Sequence, residues 1–218
     1  MKMDIEFVRP EEIENRSFEL IAQELGCGGM SINGGTVISD DAPEAAVIKR
    51  CIHTTADFDY AKSMYFSKGA MDEFAKLLKA GATIVTDTNM ALAGINKAGL
   101  AKFGCIVRCF MADEDVAKEA KERGLTRAHV SMEHAMSLPG PVIFVIGNAP
   151  TALITLRDHY NKGLYEPAFI VGVPVGFVNV VAAKELIIRS DIAHIVNGGR
   201  KGGSNVAAAI VNAVVKVV

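Results

Sequence analysis

Tryptophan is absent from this 218-residue chain, and only 6% of its residues are aromatic. A stacking platform for single-stranded nucleic acid is built on exposed rings, so that function class is set aside. Charge of one sign is lacking too. The 23 basic and 25 acidic side chains nearly cancel, leaving no global field to gather nucleic acid or an anionic membrane surface. A polyanionic ligand would need a local basic pocket. No run approaches the ~20 apolar residues of a membrane span, and "MKMDIEFVRP" has no apolar core of signal-peptide length. The four cysteines, Cys27, Cys51, Cys105 and Cys109, form no C-x-x-C pair. Cys105 and Cys109 are expected on one face of a strand, too far apart along it to bridge. Free, buried thiols and a cytoplasmic location are the expectation.

Standard chemical motifs are missing as well. There is no G-x-G-x-x-G after the first strand, no G-x-x-x-x-G-K-[ST] and no H-E-x-x-H. "GNAPTAL" lacks the serine of a nucleophile elbow. His53, Asp57 and Asp59 stand close together, but no partner histidine or cysteine has metal-ligand spacing. Neither a metal nor a cofactor is expected.

What is present is a core. Half of the residues are hydrophobic, enough for one α/β domain spanning 1–218. "PEEIENRSFELIAQEL" carries Ile13, Phe18, Ile21 and Leu25 at helical spacing. A second helix is predicted from Ala42 to about Thr54, with Pro43 near its start, and "AMDEFAKLLKAG" is a third, ended by Gly81. Then "ATIVTD", "GCIVRCF", "PVIFVIG", "PAFIVGV" and "AHIVNG" alternate with helical segments. Continuous β-branched runs are strands covered on both faces. The predicted fold is a three-layer α/β/α sandwich with a five-stranded parallel sheet and a helical N-terminal preface.

Ligands of such sheets bind beyond the carboxyl ends of the strands. Four of those ends read "TDTNMALAGINK", "GNAPTALITL", "GVPVGFVNVVAAKEL" and "GGRKGGSNVAAAI", with small residues and Thr, Asn or Ser where a helix would begin. Free N–H groups at helix starts favour anions. Arg200 and Lys201 stand inside the last glycine turn, and Arg127 follows Thr126 at a helix start, where a cation opposes the helix dipole. Arg16 and Arg50 lie in the preface, Arg50 on the same helix face as His53. Together these guanidinium groups suit a ligand with several carboxylates. His129 and His134, in a helix with Glu133, and His159, beside Asp158, read as surface residues. His194 reads as a satisfied core histidine.

The segments "IHTTADFDYA", "TDTNMALAGINK", "GPVIFVIGNAPTAL", "PAFIVGVPVGFVNVVAAKEL" and "GRKGGSNVAAAIVNA" resemble, in order and spacing, the precorrin-8X methylmutase family. That resemblance implies an isomerase of cobalamin biosynthesis, which moves a methyl group from carbon 11 to carbon 12 of a corrin ring. It further implies an α/β/α homodimer that uses no added cofactor and takes a corrinoid substrate with many carboxylate arms. The family's catalytic histidine aligns with His53, in a motif that matches Arg50 to His53. The role implied is hydrogen bonding or protonation at a ring nitrogen, which histidine suits because its reference pKa of ~6.5 lies near neutrality. The "RSF" segment carries substrate contact to Arg16 and Ser17. Arg50, Thr88, Arg127, Asn148, Thr151 and Arg200 follow by motif position. Some family members have "HACG" where this chain has "HTTA", which is more similar to the cobalt-first branch. The aliphatic C-terminal segment "AAAIVNAVVKVV" is richer than a solvated helix requires, which also points to a dimer with the cleft near its interface.

Two other readings remain open on the residues. A nucleotide-binding oxidoreductase on the same fold would need a phosphate loop. A tetrapyrrole carrier without catalysis would keep the arginines and have no use for His53.

Overall fold

A computed structural model describes residues 5–26 and 29–218. Cys27 lies outside them. The preface comprises α1 (Ile13–Leu25), a hairpin of β1 (Met30–Ile32) and β2 (Thr36–Ile38), α2 (Pro43–Thr55), α3 (Tyr60–Ser63), β3 (Met64–Phe66) and α4 (Ala70–Lys79). Then follow β4 (Thr83–Thr86), α5 (Asn89–Gly94), α6 (Lys97–Ala101), β5 (Ile106–Arg108), α7 (Glu114–Arg123), α8 (Arg127–Met136) and β6 (Val142–Ile146). The chain ends with α9 (Pro150–Asn161), β7 (Phe169–Gly172), α10 (Val180–Ile188), β8 (His194–Asn197) and α11 (Ser204–Val217).

All five predicted strands form and run parallel, but the sheet has six members in the order β3-β8-β7-β6-β4-β5. The added edge strand, β3, pairs antiparallel with β8, Met64 opposite Asn197. Its three residues are too few to show a period. The same brevity hides the β1–β2 hairpin, whose turn uses Asn33, Gly34 and Gly35 at positive φ.

Every residue of β6, β7 and β8 is buried, as strands covered on both faces must be. Alternate residues feed two cores. Ile84, Ile143, Val145, Phe169, Val171 and Ile195 pack with α1, α2, α4 and α11. Val85, Phe144, Ile146, Ile170 and Val196 pack with α7, α8, α9 and α10. This gives the expected three layers. One expectation is corrected here. Val206 to Val211, Ala213 and Val214 are buried within their own chain, so the aliphatic content of α11 serves its own core and argues nothing about a dimer.

The chain goes from β4 outward to β5 and returns across β4 to β6. The strand order therefore reverses between β4 and β6, which is where open α/β sheets form a crevice. Cys51 and Cys105 are free and buried as expected, whereas Cys109 is only half-buried. Among the described residues no helix is long and apolar enough to cross a membrane.

Candidate active site

His53 lies in the last turn of α2, and the "TTAD" that follows it is the reason the helix stops there. The Thr54 and Thr55 hydroxyls donate to the carbonyls of Arg50 and Cys51, back-bonding that slightly destabilises the last turn. Ala56 then takes a left-handed conformation (φ 53°), and its N–H closes the helix on Ile52. His53 is left exposed. Its ring stacks on Phe18 of α1, with centroids 5.3 Å apart and planes 18° from parallel. The Arg50 guanidinium sits 4.8 Å from the same ring, so one aromatic side chain steadies both predicted site residues. "RSF" points to Arg16 and Ser17, whereas the support role of Phe18 is hidden in the sequence, because its helical spacing reads as core.

Arg16 and Arg50 already hold carboxylates. Arg16 Nε donates to Glu6 (2.8 Å) and its Nη1 to Glu19 (3.2 Å), while Arg50 bonds Glu14. Glu14 also accepts from Lys216 of α11 (2.9 Å); this bond and the one from Arg50 bring its pKa down to about 2. Ser17 is half-buried beside them.

The strand-end residues form a second group. At the switch point Thr88 caps α5 by accepting from the Ala91 N–H (3.1 Å), and its hydroxyl meets Ser204 of α11 at 2.7 Å. Asp87, fully buried, accepts from the N–H groups of Gly147, Asn148 and Ala149 at 2.8, 2.8 and 2.6 Å. Burial pushes this carboxyl above its ordinary pKa, against the pull of the three donors. The donors expected to face a ligand at the start of α9 are thus filled by the protein's own carboxylate. Asn148 is exposed just above that turn. Thr126, which caps α8 through the His129 N–H, donates to Thr151 Oγ1 at 3.3 Å, so Arg127 and Thr151 share this edge.

Arg200 is exposed, its guanidinium 5.4 Å from the ring of Phe177, which is itself 82% exposed. Among the described residues neither Arg127 nor Arg200 has a carboxylate within salt-bridge distance. Lys201 bridges Asp57 (2.6 Å) and Asp59 (2.5 Å), just after His53, and this contact lowers the Asp57 pKa. These aspartates therefore hold an ammonium, and among the described residues no acidic or histidine cluster is disposed to hold a metal.

The two groups do not meet side by side. Thr88 touches the first residue of α11 and Glu14 touches Lys216 near its last, and fourteen helical residues span ~21 Å. The α2 end and the Lys201 bridge join them. A cleft of about 660 Å³ opens beside Phe18, Pro43, Arg50, Met71 and Val217, at the far end of α11. His53 is not in its wall, and it lies away from the strand ends.

The histidines of the other helical layer are less exposed than expected. His129 meets Thr155 (2.8 Å) and Glu133 (3.2 Å), while His134 meets Glu119 (2.8 Å). His159 Nδ1 lies 2.9 Å from the Thr155 carbonyl. His194 is buried with Nδ1 on the Ile192 carbonyl, as a core histidine should be, and burial lowers its pKa.

The chain matches the family model for precorrin-8X methylmutase over residues 12–217. It is 41% identical to the cobalt-precorrin-8 methylmutase of Leptospira interrogans, across 92% of this chain and 90% of that one. It is 37% identical to the cobalt-precorrin-8 methylmutase of Priestia megaterium, across 95% and 88%. The crystal structure of the precorrin-8x methyl mutase from Thermus thermophilus superposes with a TM-score of 0.82 at 36% identity, covering 95% of each chain. On these matches, this chain belongs to the precorrin-8X methylmutase family of isomerases of cobalamin biosynthesis.

Proposed function

We propose that this chain moves the methyl group of precorrin-8X or cobalt-precorrin-8 from C-11 to C-12, giving hydrogenobyrinate or cobyrinate, with His53 as the catalytic residue. The observation that carries the proposal is the exposed His53 ring, steadied on Phe18 at a helix end that the left-handed Ala56 closes. No group enters or leaves in this rearrangement, so neither a nucleophile nor a redox partner is required. The enzyme has to shift electron density in the ring, and a donor at one ring nitrogen does so. Arg200 and Arg127, without carboxylate partners among the described residues, suit the peripheral carboxylate arms. Arg16 and Arg50 would exchange Glu6, Glu19 and Glu14 for substrate. Ser17, Thr88, Asn148 and Thr151 would add hydrogen bonds. "HTTA" and the cobalt-precorrin relatives favour the cobalt-bearing substrate.

The same reading makes the protein a cytoplasmic homodimer. Buried free thiols support the compartment. Exposed Val175, Phe177, Val178, Val181 and Leu186, along α10 and the loop before it, support a second copy as partner. Sedimentation showing only monomer at micromolar concentration would remove the dimer.

The decisive experiment pairs His53→Ala with His53→Asn, using absorbance spectra of metal-free and cobalt-bearing substrate. The alanine variant should fold, bind corrinoid and lose roughly 10²–10⁴ in rate. Partial activity in the asparagine variant favours hydrogen bonding over proton transfer, since an amide donates without being an acid. Full activity in His53→Ala makes His53 structural and sinks the assignment.

A further inference from the structure

Lys184 lies in the middle of α10 with no exposed surface, outside the residues assigned above. A lysine is almost never fully buried without partners. Its partners are two backbone carbonyls, Gly199 at 2.9 Å and Lys201 at 2.7 Å, which flank Arg200. The Arg200 carbonyl between them accepts from the Gly176 N–H at 3.1 Å, and Asn197 Nδ2 donates to the Lys201 carbonyl at 2.9 Å. Three consecutive carbonyls are thus held, those of Gly199 and Lys201 by the buried Lys184, and Arg200 and Lys201 are exposed. The outward Arg200 lies over Phe177, in the loop that Gly176 anchors, and the outward Lys201 reaches Asp57 and Asp59 behind His53. Gly202 closes the arrangement, since a Cβ there would sit 2.1 Å from the Val173 carbonyl oxygen.

We propose that Lys184 is a positioning residue for the substrate site: its ammonium fixes the carbonyls on both sides of Arg200, which aims the Arg200 guanidinium and holds Lys201 against the segment that follows His53. The inference rests on the functional reading above for what Arg200 binds, but not for how the loop is held. A purely structural lysine would stabilise the fold without acting through Arg200, and the two roles separate in a mutant cycle.

The test uses Lys184→Met, which keeps the length and removes the donor, with two readouts. The first is trypsin cleavage after Arg200 and Lys201 in the ligand-free protein, which reports local opening of the loop. The second is cobyrinate affinity by equilibrium dialysis in wild type, Lys184→Met, Arg200→Ala and the double variant. We expect cleavage there to accelerate about tenfold while other sites stay unchanged. We expect affinity to fall about tenfold in the single variant and less than about twofold further when Arg200 is already alanine. Unchanged cleavage, or an affinity loss that is the same with and without Arg200, overturns the proposal. If Lys184→Met does not fold, Lys184→Gln takes its place in the cycle under the same criteria. A wild-type protein that binds no cobyrinate sinks the functional reading instead, and the cleavage rates then decide the loop brace alone.

Discussion

Replacing Asp87 tests whether the switch-point turn is held by a carboxylate. Its Oδ1 accepts from Gly147 and its Oδ2 from Asn148 and Ala149. A hydrogen bond to a charged acceptor is worth about 1.5–3 kcal/mol, so three at the low end give about 4.5 kcal/mol. Removing a buried charge returns part of this, which leaves Asp87→Ala destabilised by about 3 kcal/mol. The Gly147 N–H dominates the loss because it stays buried, whereas Asn148 is exposed and its N–H can take water. Asp87→Asn is the sharper probe. Its oxygen can serve one side of the turn, but its NH₂ then faces an N–H donor where an acceptor stood, so about 2 kcal/mol should still be lost. Urea denaturation of the three proteins at pH 7, at constant slope, reads these differences as shifts in midpoint. Wild-type stability in Asp87→Asn would refute the reasoning, because it would mean that the turn does not depend on a charged acceptor at this position.

Two further outcomes follow from the same region. Burial pushes the Lys184 pKa down to about 8 from an ordinary 10.5, so between those values the unfolded chain binds more protons and stability rises with pH. Measured against Lys184→Met, wild type should therefore gain about 3 kcal/mol between pH 8 and 10.5, and a flat difference in urea midpoints would contradict it. Gly202→Ala places a methyl group against the Val173 carbonyl at a residue with φ of 152°. It should lose about 3 kcal/mol or more in thermal denaturation, and a loss under about 0.5 kcal/mol would show that the loop yields easily.

The sequence by itself determined the parallel core, the helices around it and the place of His53. Buried strands such as "VIFVI" declare themselves by continuous β-branched runs, and Pro43 with "HTTAD" marks where α2 starts and stops. The family was legible for a related reason, since backbone turns at strand ends leave few residue types to choose from. Tertiary structure decided what was partnered with what. The antiparallel β3, with three residues, acquires its identity only by pairing with β8. The aliphatic α11 could have faced a second copy or its own chain, and composition is the same in both cases. Two of the four helix starts that look open to a ligand, those of α5 and α9, are filled by Thr88 and Asp87, because a capping group can come from the preceding position or from sixty residues away. In sequence Lys184 is one of only two charges in the apolar helix "VVAAKELII". Only the folded chain brings the Gly199 and Lys201 carbonyls to it, since a hydrogen bond depends on distance and direction that no local pattern encodes.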